Sequence, residues 1–203
     1  MAKRPTNIRG KIINAALACA ADTRWQDISL ATIADAAGLS LSQLHGQFPS
    51  KTAIVAAIVD QTTTTVVAGT DPSASDESPH DRVLDVILRR FDSLEANRAA
   101  ITSILRDMPF DPVRTLCLVP SFLDSMAWTL ESAGINSSGI AGRIRTKGLA
   151  VIYLGALGVW MRDDSPDMTK TMSFLDRRLK QAVQLAVYLP FGVVDRASKN
   201  QTD

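Results

Sequence analysis

Small polar side chains follow one another closely between residues 40 and 47. The Ser42 hydroxyl is of a type that reaches a base or a phosphate oxygen, and the Gln43 amide is of a type that hydrogen-bonds a base edge. No Lys or Arg occurs from residue 28 to residue 50. Neutralisation of a phosphate backbone would therefore depend on Lys51, on helix-terminus amides, or on residues 1–11, where the charged residues are Lys3, Arg4, Arg9 and Lys11.

Residues of the types used in catalysis are few and scattered. The chain has two histidines, His45 and His80, and no HExxH, GxSxG or glycine-rich phosphate loop. The carboxylates of Asp163, Asp164 and Asp167 are interpreted as helix caps and solvated loop charges. We therefore expect neither an enzyme nor a cofactor or metal site.

Two cysteines, Cys19 and Cys117, lie far apart within apolar helical patterns. This predicts small core residues in a reducing compartment rather than a disulfide.

Length and composition indicate a globular protein. A chain of 203 residues with 46% hydrophobic residues can bury a sizeable core, and 22 basic residues are balanced by 21 acidic ones. The longest apolar run, residues 149–161, is shorter than the roughly 20 residues that span a bilayer. We expect a cytoplasmic protein without stable membrane insertion.

Apolar residues recur at helical spacing along the chain, which predicts an all-α fold. A first helix is expected over residues 7–23 with Thr6 as its N-cap. Ser29, Ser40 and Ser50 are predicted to cap the next three helices, and Gly38 to end the second with a left-handed backbone.

Residues 70–80, which read TDPSASDESPH, interrupt the helical pattern of apolar residues and predict a surface loop. Amphipathic helices are expected around residues 84–94 and 101–108, and Pro112 and Pro120 are expected to punctuate the following turn. Later helices are predicted to end near Gly134 and to span residues 138–162 and 166–189.

Residues 29–48 contain the parts of a helix-turn-helix, a pair of short helices around a glycine turn that can dock into the major groove. The sequence IADAAGLSLSQLHGQFPSK resembles the TetR family of transcriptional regulators. His45 departs from that pattern, because the family usually has a phosphate-contacting tyrosine there. Together with the helix-turn-helix analysis, the resemblance implies these DNA contacts: Ser29, Thr32, Ser40, Leu41, Ser42, Gln43, His45, Gln47 and Lys51.

This architecture predicts a three-helix DNA-binding domain over residues 1–52, a larger helical domain over residues 53–190, and a tail over residues 191–203. The larger domain is expected to bind an apolar small molecule or lipid and to form a homodimer. The predicted ligand-binding residues are Phe91, Leu105, Met108, Phe122, Met126, Trp128 and Tyr153. The predicted dimer contacts are Ile152, Gly155, Val159, Met172, Leu175, Leu179 and Val183. The alternative is that these residues serve only the protomer's own core.

A second resemblance lies in YLGALGVWMRDDSPDMTKTMSFLDRRL, which is similar to the TetR-fold lipid-binding accessory protein of ubiquinone biosynthesis. That resemblance implies an elongated apolar ligand. Two functions follow: a ligand-responsive repressor that binds a palindromic operator as a dimer, or a lipid or isoprenoid-binding accessory protein that does not bind DNA.

Overall fold

The computed structural model describes residues 7–70, 77–165 and 167–188, and within these ranges the chain forms nine α-helices and no strand. The fold is all-α and TetR-like, as predicted. The helices are α1 (Ile8–Asp22), α2 (Leu30–Ala36), α3 (Leu41–His45), α4 (Lys51–Ala68), α5 (Pro79–Glu95), α6 (Arg98–Asp107), α7 (Pro112–Ser132), α8 (Gly139–Trp160) and α9 (Thr169–Tyr188). Short 3₁₀ turns occur at Trp25–Asp27 and Met108–Phe110.

The starts of the first helices are set by local capping groups. The Ser29, Ser40 and Ser50 hydroxyls each accept a hydrogen bond from a backbone N–H three residues on, as predicted. Asn7 caps α1, whereas Thr6, the predicted cap, lies outside the described residues.

Two compact units make up the described chain. Of the described residues, the first contains 7–69 and 89–125, and the second contains 70, 77–88, 126–165 and 167–188. Helices α5 and α7 contribute to both. In the first unit α1 packs against α2, α4 and α6, and in the second unit α8 packs against α9.

Each unit has a buried apolar core. Ile12, Ile33, Leu44, Phe48 and Ile54 are buried in the first, and Met126, Tyr153, Ala156, Trp160 and Leu175 are buried in the second. Full burial of an isoleucine, leucine, methionine or phenylalanine side chain stabilises a fold by about 1.5–3 kcal/mol.

Prolines caused the largest errors in the predicted helix boundaries. Helix α7 begins at Pro112 and continues through Pro120, so Pro120 does not mark a turn. Pro112 suits the first position of a helix because its missing N–H would have no partner there. Pro120 is tolerated inside the helix at the loss of one backbone hydrogen bond.

Two other boundaries also differ from prediction. Pro79 and His80 belong to α5 rather than to the preceding loop, of which residues 71–76 lie outside the described chain. The last helix begins at Thr169, three residues later than predicted, because Met168 has a left-handed backbone with φ of 48°. Pro166, the predicted start, lies outside the described residues.

One cysteine also differs from prediction. Cys19 is half-buried, but Cys117 is exposed on α7, so the interpretation of both as core residues was wrong for Cys117. Helical spacing shows which residues share a face, but not whether another helix covers it.

Across the described ranges, we find no helix with both the length and the apolar character needed to cross a lipid bilayer.

Candidate nucleic-acid interface

Helices α2 and α3 form a helix-turn-helix around Gly38. Its φ of +66° places it in the left-handed region that glycine adopts without strain, and the Leu39 N–H closes the turn on the Ala34 carbonyl at 2.9 Å. Leu44 from α3 and Ile33 from α2 are both fully buried. The two short helices are therefore held in a fixed relation by the turn and by a shared core.

The predicted DNA contacts at the two helix starts also serve as caps. The Ser29 hydroxyl accepts from the Thr32 N–H at 3.0 Å and lies 2.8 Å from the Thr32 hydroxyl. Ser40 and Gln43 form a reciprocal capping box: the Gln43 N–H donates to the Ser40 hydroxyl, and the Ser40 N–H donates to the Gln43 side-chain oxygen. The Gln43 oxygen is thereby engaged, which leaves the amide NH₂ as the donor for an outside partner.

The other predicted contacts on and after α3 are exposed. Leu41 has 53% of its surface accessible, although leucine is usually buried. Ser42, His45 and Gln47 are exposed as well, while Leu44 between them faces the core. Helix α3 therefore buries one face and presents a mixed polar and apolar face to solvent.

Lys51 has a different environment from the other predicted contacts. Its Nζ donates to the carbonyl oxygens of Trp25 and Ile28 and lies 4.5 Å from the centre of the Trp25 ring. Burial and then the nearby Arg114 guanidinium lower the pKa of Lys51, against the carboxylates of Asp107 and Asp27, which raise it. The ammonium group thus ties the start of α4 to the turn that precedes α2.

Two residues of α6 hold that same turn, and sequence reasoning missed both. The buried Asp107 carboxylate accepts from the Gln26 N–H at 2.7 Å and pairs with Arg24 at 3.3 Å. The Ser103 hydroxyl accepts from the Trp25 N–H at 3.0 Å and donates to the Thr23 carbonyl. No sequence signal could have found them, because their partners lie about 80 residues earlier in the chain.

A cavity of about 130 Å³ lies beside this junction. Trp25, Lys51, Val55, Ile104 and Asp107 line part of it. Met108, a predicted ligand-binding residue, also lines it.

The predicted ligand-binding residues are distributed over both units. Phe91, Leu105, Met108 and Phe122 belong to the first, whereas Met126, Trp128 and Tyr153 belong to the second. Phe91, Met126 and Tyr153 are buried, but Trp128 is 56% exposed. Their common role in ligand binding stays a prediction.

The predicted dimer contacts fall into two groups. Gly155, Met172 and Val183 are exposed, and Ile152 and Val159 are half-buried. Leu175 and Leu179 are buried within the protomer, so a partner could touch them only after rearrangement. The dimer interface also stays a prediction.

In the part of the chain open to description, no three His, Cys, Asp or Glu side chains are placed to share a metal ion.

Solved structures of TetR-family regulators share this fold. A TetR regulator from Nitrosomonas europaea ATCC 19718 is 24% identical with a TM-score of 0.71, over 87% of this chain and 98% of the other. One from Rhodococcus sp. RHA1 is 21% identical with a TM-score of 0.64, over 88% and 96%. Salmonella enterica GusR is 20% identical with a TM-score of 0.61, over 90% and 97%. At these identities the likeness establishes the fold.

Residues 145–186 match the COQ9 family. The match includes most of α8 and α9 and falls on the segment whose sequence resembles the ubiquinone accessory protein. It covers too little of the chain to assign the protein to that family. No curated protein sequence matches the chain.

Proposed function

We propose that this chain, which has the TetR fold, is a DNA-binding transcriptional regulator that acts as a dimer and responds to an apolar effector. The observation that carries the proposal is the helix-turn-helix, whose α3 buries Leu44 and exposes Leu41, Ser42, His45 and Gln47. A solvent-facing surface of this kind on the second helix is what docking in a major groove requires.

Base contacts in this proposal come from the first turn of α3. The Gln43 NH₂ group can donate to an acceptor on a base edge, and Leu41 can pack on a thymine methyl group, which explains an exposed leucine at this position. Ser42 can reach either a base or a phosphate. Lys51 is assigned a positioning role, because its ammonium group already holds two backbone carbonyls.

A second copy of the chain is proposed to pack on α8 and α9. Ile140, Ile144, Val151 and Leu154 are exposed on α8 at spacings that place them on one side of the helix. Met172 and Val183 are exposed on α9. A symmetric dimer through this face would carry two DNA-binding domains related by two-fold symmetry, and we propose that it binds a palindromic operator.

The proposed effector is apolar and acts as an inducer. Its proposed contacts include Met126 and Tyr153, which are both buried in the second unit. Release of the operator requires the effector to bind the released state more tightly. A coupling free energy of about 1–3 kcal/mol would change DNA affinity by about 5 to 150-fold, and the operator would weaken effector binding by the same factor.

Selection from random duplexes at low salt tests the proposal, and we expect it to recover a palindrome. Leu41→Ala and Ser42→Ala are the informative variants, because neither side chain takes part in a helix cap. Each should reduce affinity for the recovered duplex, and loss of one Ser42 hydrogen bond should cost about 0.5–1.5 kcal/mol. Leu116→Ala, which removes an exposed leucine from α7, should bind as the parent protein does. Failure to recover any operator would refute this function.

A second candidate function is that of a lipid-binding accessory protein that does not bind DNA. The COQ9 match over residues 145–186 and the absence of Lys and Arg from residues 28–50 support it. Mass spectrometry of solvent extracts of the purified protein should then detect an isoprenoid or other lipid. Tight operator binding without any co-purified lipid would exclude it.

A further inference from the structure

The described part of the DNA-binding domain, called the DNA-binding head below, has few cations for a protein that must bind a polyanion. Residues 7–51 contain four, Arg9, Lys11, Arg24 and Lys51, and three acids. Phosphate neutralisation supplies much of the affinity of a DNA-binding protein. The location of each cation therefore decides where the phosphate backbone can be held.

Two of the four cations are engaged within the protein. Lys51 donates to the Trp25 and Ile28 carbonyls. Arg24 pairs with the buried carboxylate of Asp107. Both hold the turn before α2, so neither is available to the phosphate backbone without loss of an internal contact.

Arg9 lies on the ring of Phe48, close to the end of α3. Its guanidinium carbon is 4.5 Å from the centre of the Phe48 ring, and Phe48 comes three residues after the end of α3. Phe48 is 1% exposed, and its N–H donates to the Leu44 carbonyl at 2.8 Å, so the ring is a fixed support. Arg9 itself is exposed, and the described chain gives it no carboxylate partner.

Lys11 is exposed on the same helix but on another side. Two residues of an α-helix differ by about 200° around the axis, so Arg9 and Lys11 do not share a face. The Phe48 contact shows which side of α1 faces the segment that follows α3, and that side carries Arg9.

We propose that Arg9 makes a phosphate contact that α3, without any Lys or Arg of its own, does not supply. The proposal rests on the proposed DNA-binding function. Stacking on Phe48 holds the guanidinium near the end of α3, and its planar fork of N–H donors suits phosphate oxygens. The contact carries no sequence information, so it sets the affinity for duplex DNA and not the choice of operator.

Salt dependence of binding to the selected operator duplex provides the test. The logarithm of the binding constant falls linearly with the logarithm of the salt concentration, and each phosphate contact adds about 0.9 to the steepness of this slope. Arg9→Gln in both heads of a dimer should therefore make the slope less steep by about 1.8. Lys11→Gln removes the same charge from the same helix and should leave the slope unchanged. Arg9→Lys should retain it.

Arg9→Met separates the phosphate contact from packing, since the Met side chain can still lie on Phe48 but carries no charge. It should show the same lower slope as Arg9→Gln, with the thermal midpoint of the parent protein. An Arg9→Met slope equal to that of the parent, or a Lys11→Gln slope reduced as much as that of Arg9→Gln, would overturn the proposal. A parent protein that binds no duplex would overturn the DNA-binding function, and this contact with it.

Discussion

Replacement of Asp163 by Asn should weaken the connection between α8 and α9. Asp163 lies between these helices and is fully buried. One carboxylate oxygen accepts from the N–H and the hydroxyl of Thr171, both at 2.8 Å, and the other accepts from the N–H and the hydroxyl of Ser165. Since Thr171 is in the first turn of α9, this carboxylate fastens the start of α9 to the end of α8.

The cost of the substitution follows from these four donors. Asparagine replaces one acceptor oxygen with an NH₂ group that faces two donors. The hydroxyl on that side can rotate away, but the backbone N–H cannot. A buried donor without an acceptor costs about 1–3 kcal/mol, and each kcal/mol lowers the thermal midpoint of a chain of this size by about 2–4 °C.

The same carboxylate gives the protein a defined acid dependence. Burial raises the pKa of Asp163, but the hydrogen bonds from Ser165 and Thr171 outweigh it and hold the pKa far below its usual value of 3.8. Because the folded-state pKa is depressed, this contribution to stability is complete at neutral pH. It falls as the pH drops below 3.8 towards the folded-state pKa.

Urea unfolding at neutral pH and at about pH 3 measures both effects. We expect Asp163→Asn to lower the unfolding free energy at neutral pH and to lose less stability on acidification than the parent protein. Asp164→Asn, which changes an exposed neighbour, is the control and should behave as the parent. Equal unfolding free energies for Asp163→Asn and the parent at neutral pH would refute the reasoning.

Two further substitutions test the head and the proposed dimer. Asp107→Ala leaves the Gln26 N–H without its acceptor, which should lower the free energy of unfolding by about 1–3 kcal/mol and lower the thermal midpoint with it. Asp92→Ala, at an exposed site of α5, is the control and should not lower the midpoint. An unchanged midpoint for Asp107→Ala would show that this contact does not stabilise the protein. Leu154→Asp places a charge on the exposed side of α8 and should yield a folded monomer in sedimentation experiments if a second copy packs there. A Leu154→Asp protein that sediments as a dimer would place the interface elsewhere.

The helix-turn-helix could be predicted from sequence because its determinants are local. Ser29, Ser40 and Ser50 cap helices through N–H groups three residues away, and Gly38 adopts the left-handed backbone that its lack of a side chain permits. The exposed predicted contacts follow from the helical period once Leu44 is assigned to the core.

The sequence by itself thus determined the helical class, the capped head and the polar run on α3, since each depends on residues within a turn or two of one another. Tertiary structure alone decided that Lys51 holds carbonyls 26 and 23 residues earlier, that Asp107 secures a backbone N–H 81 residues away, and that Cys117 is exposed. Contacts of this kind depend on which surfaces the packed helices bring together, and the spacing of residues along one helix does not specify that.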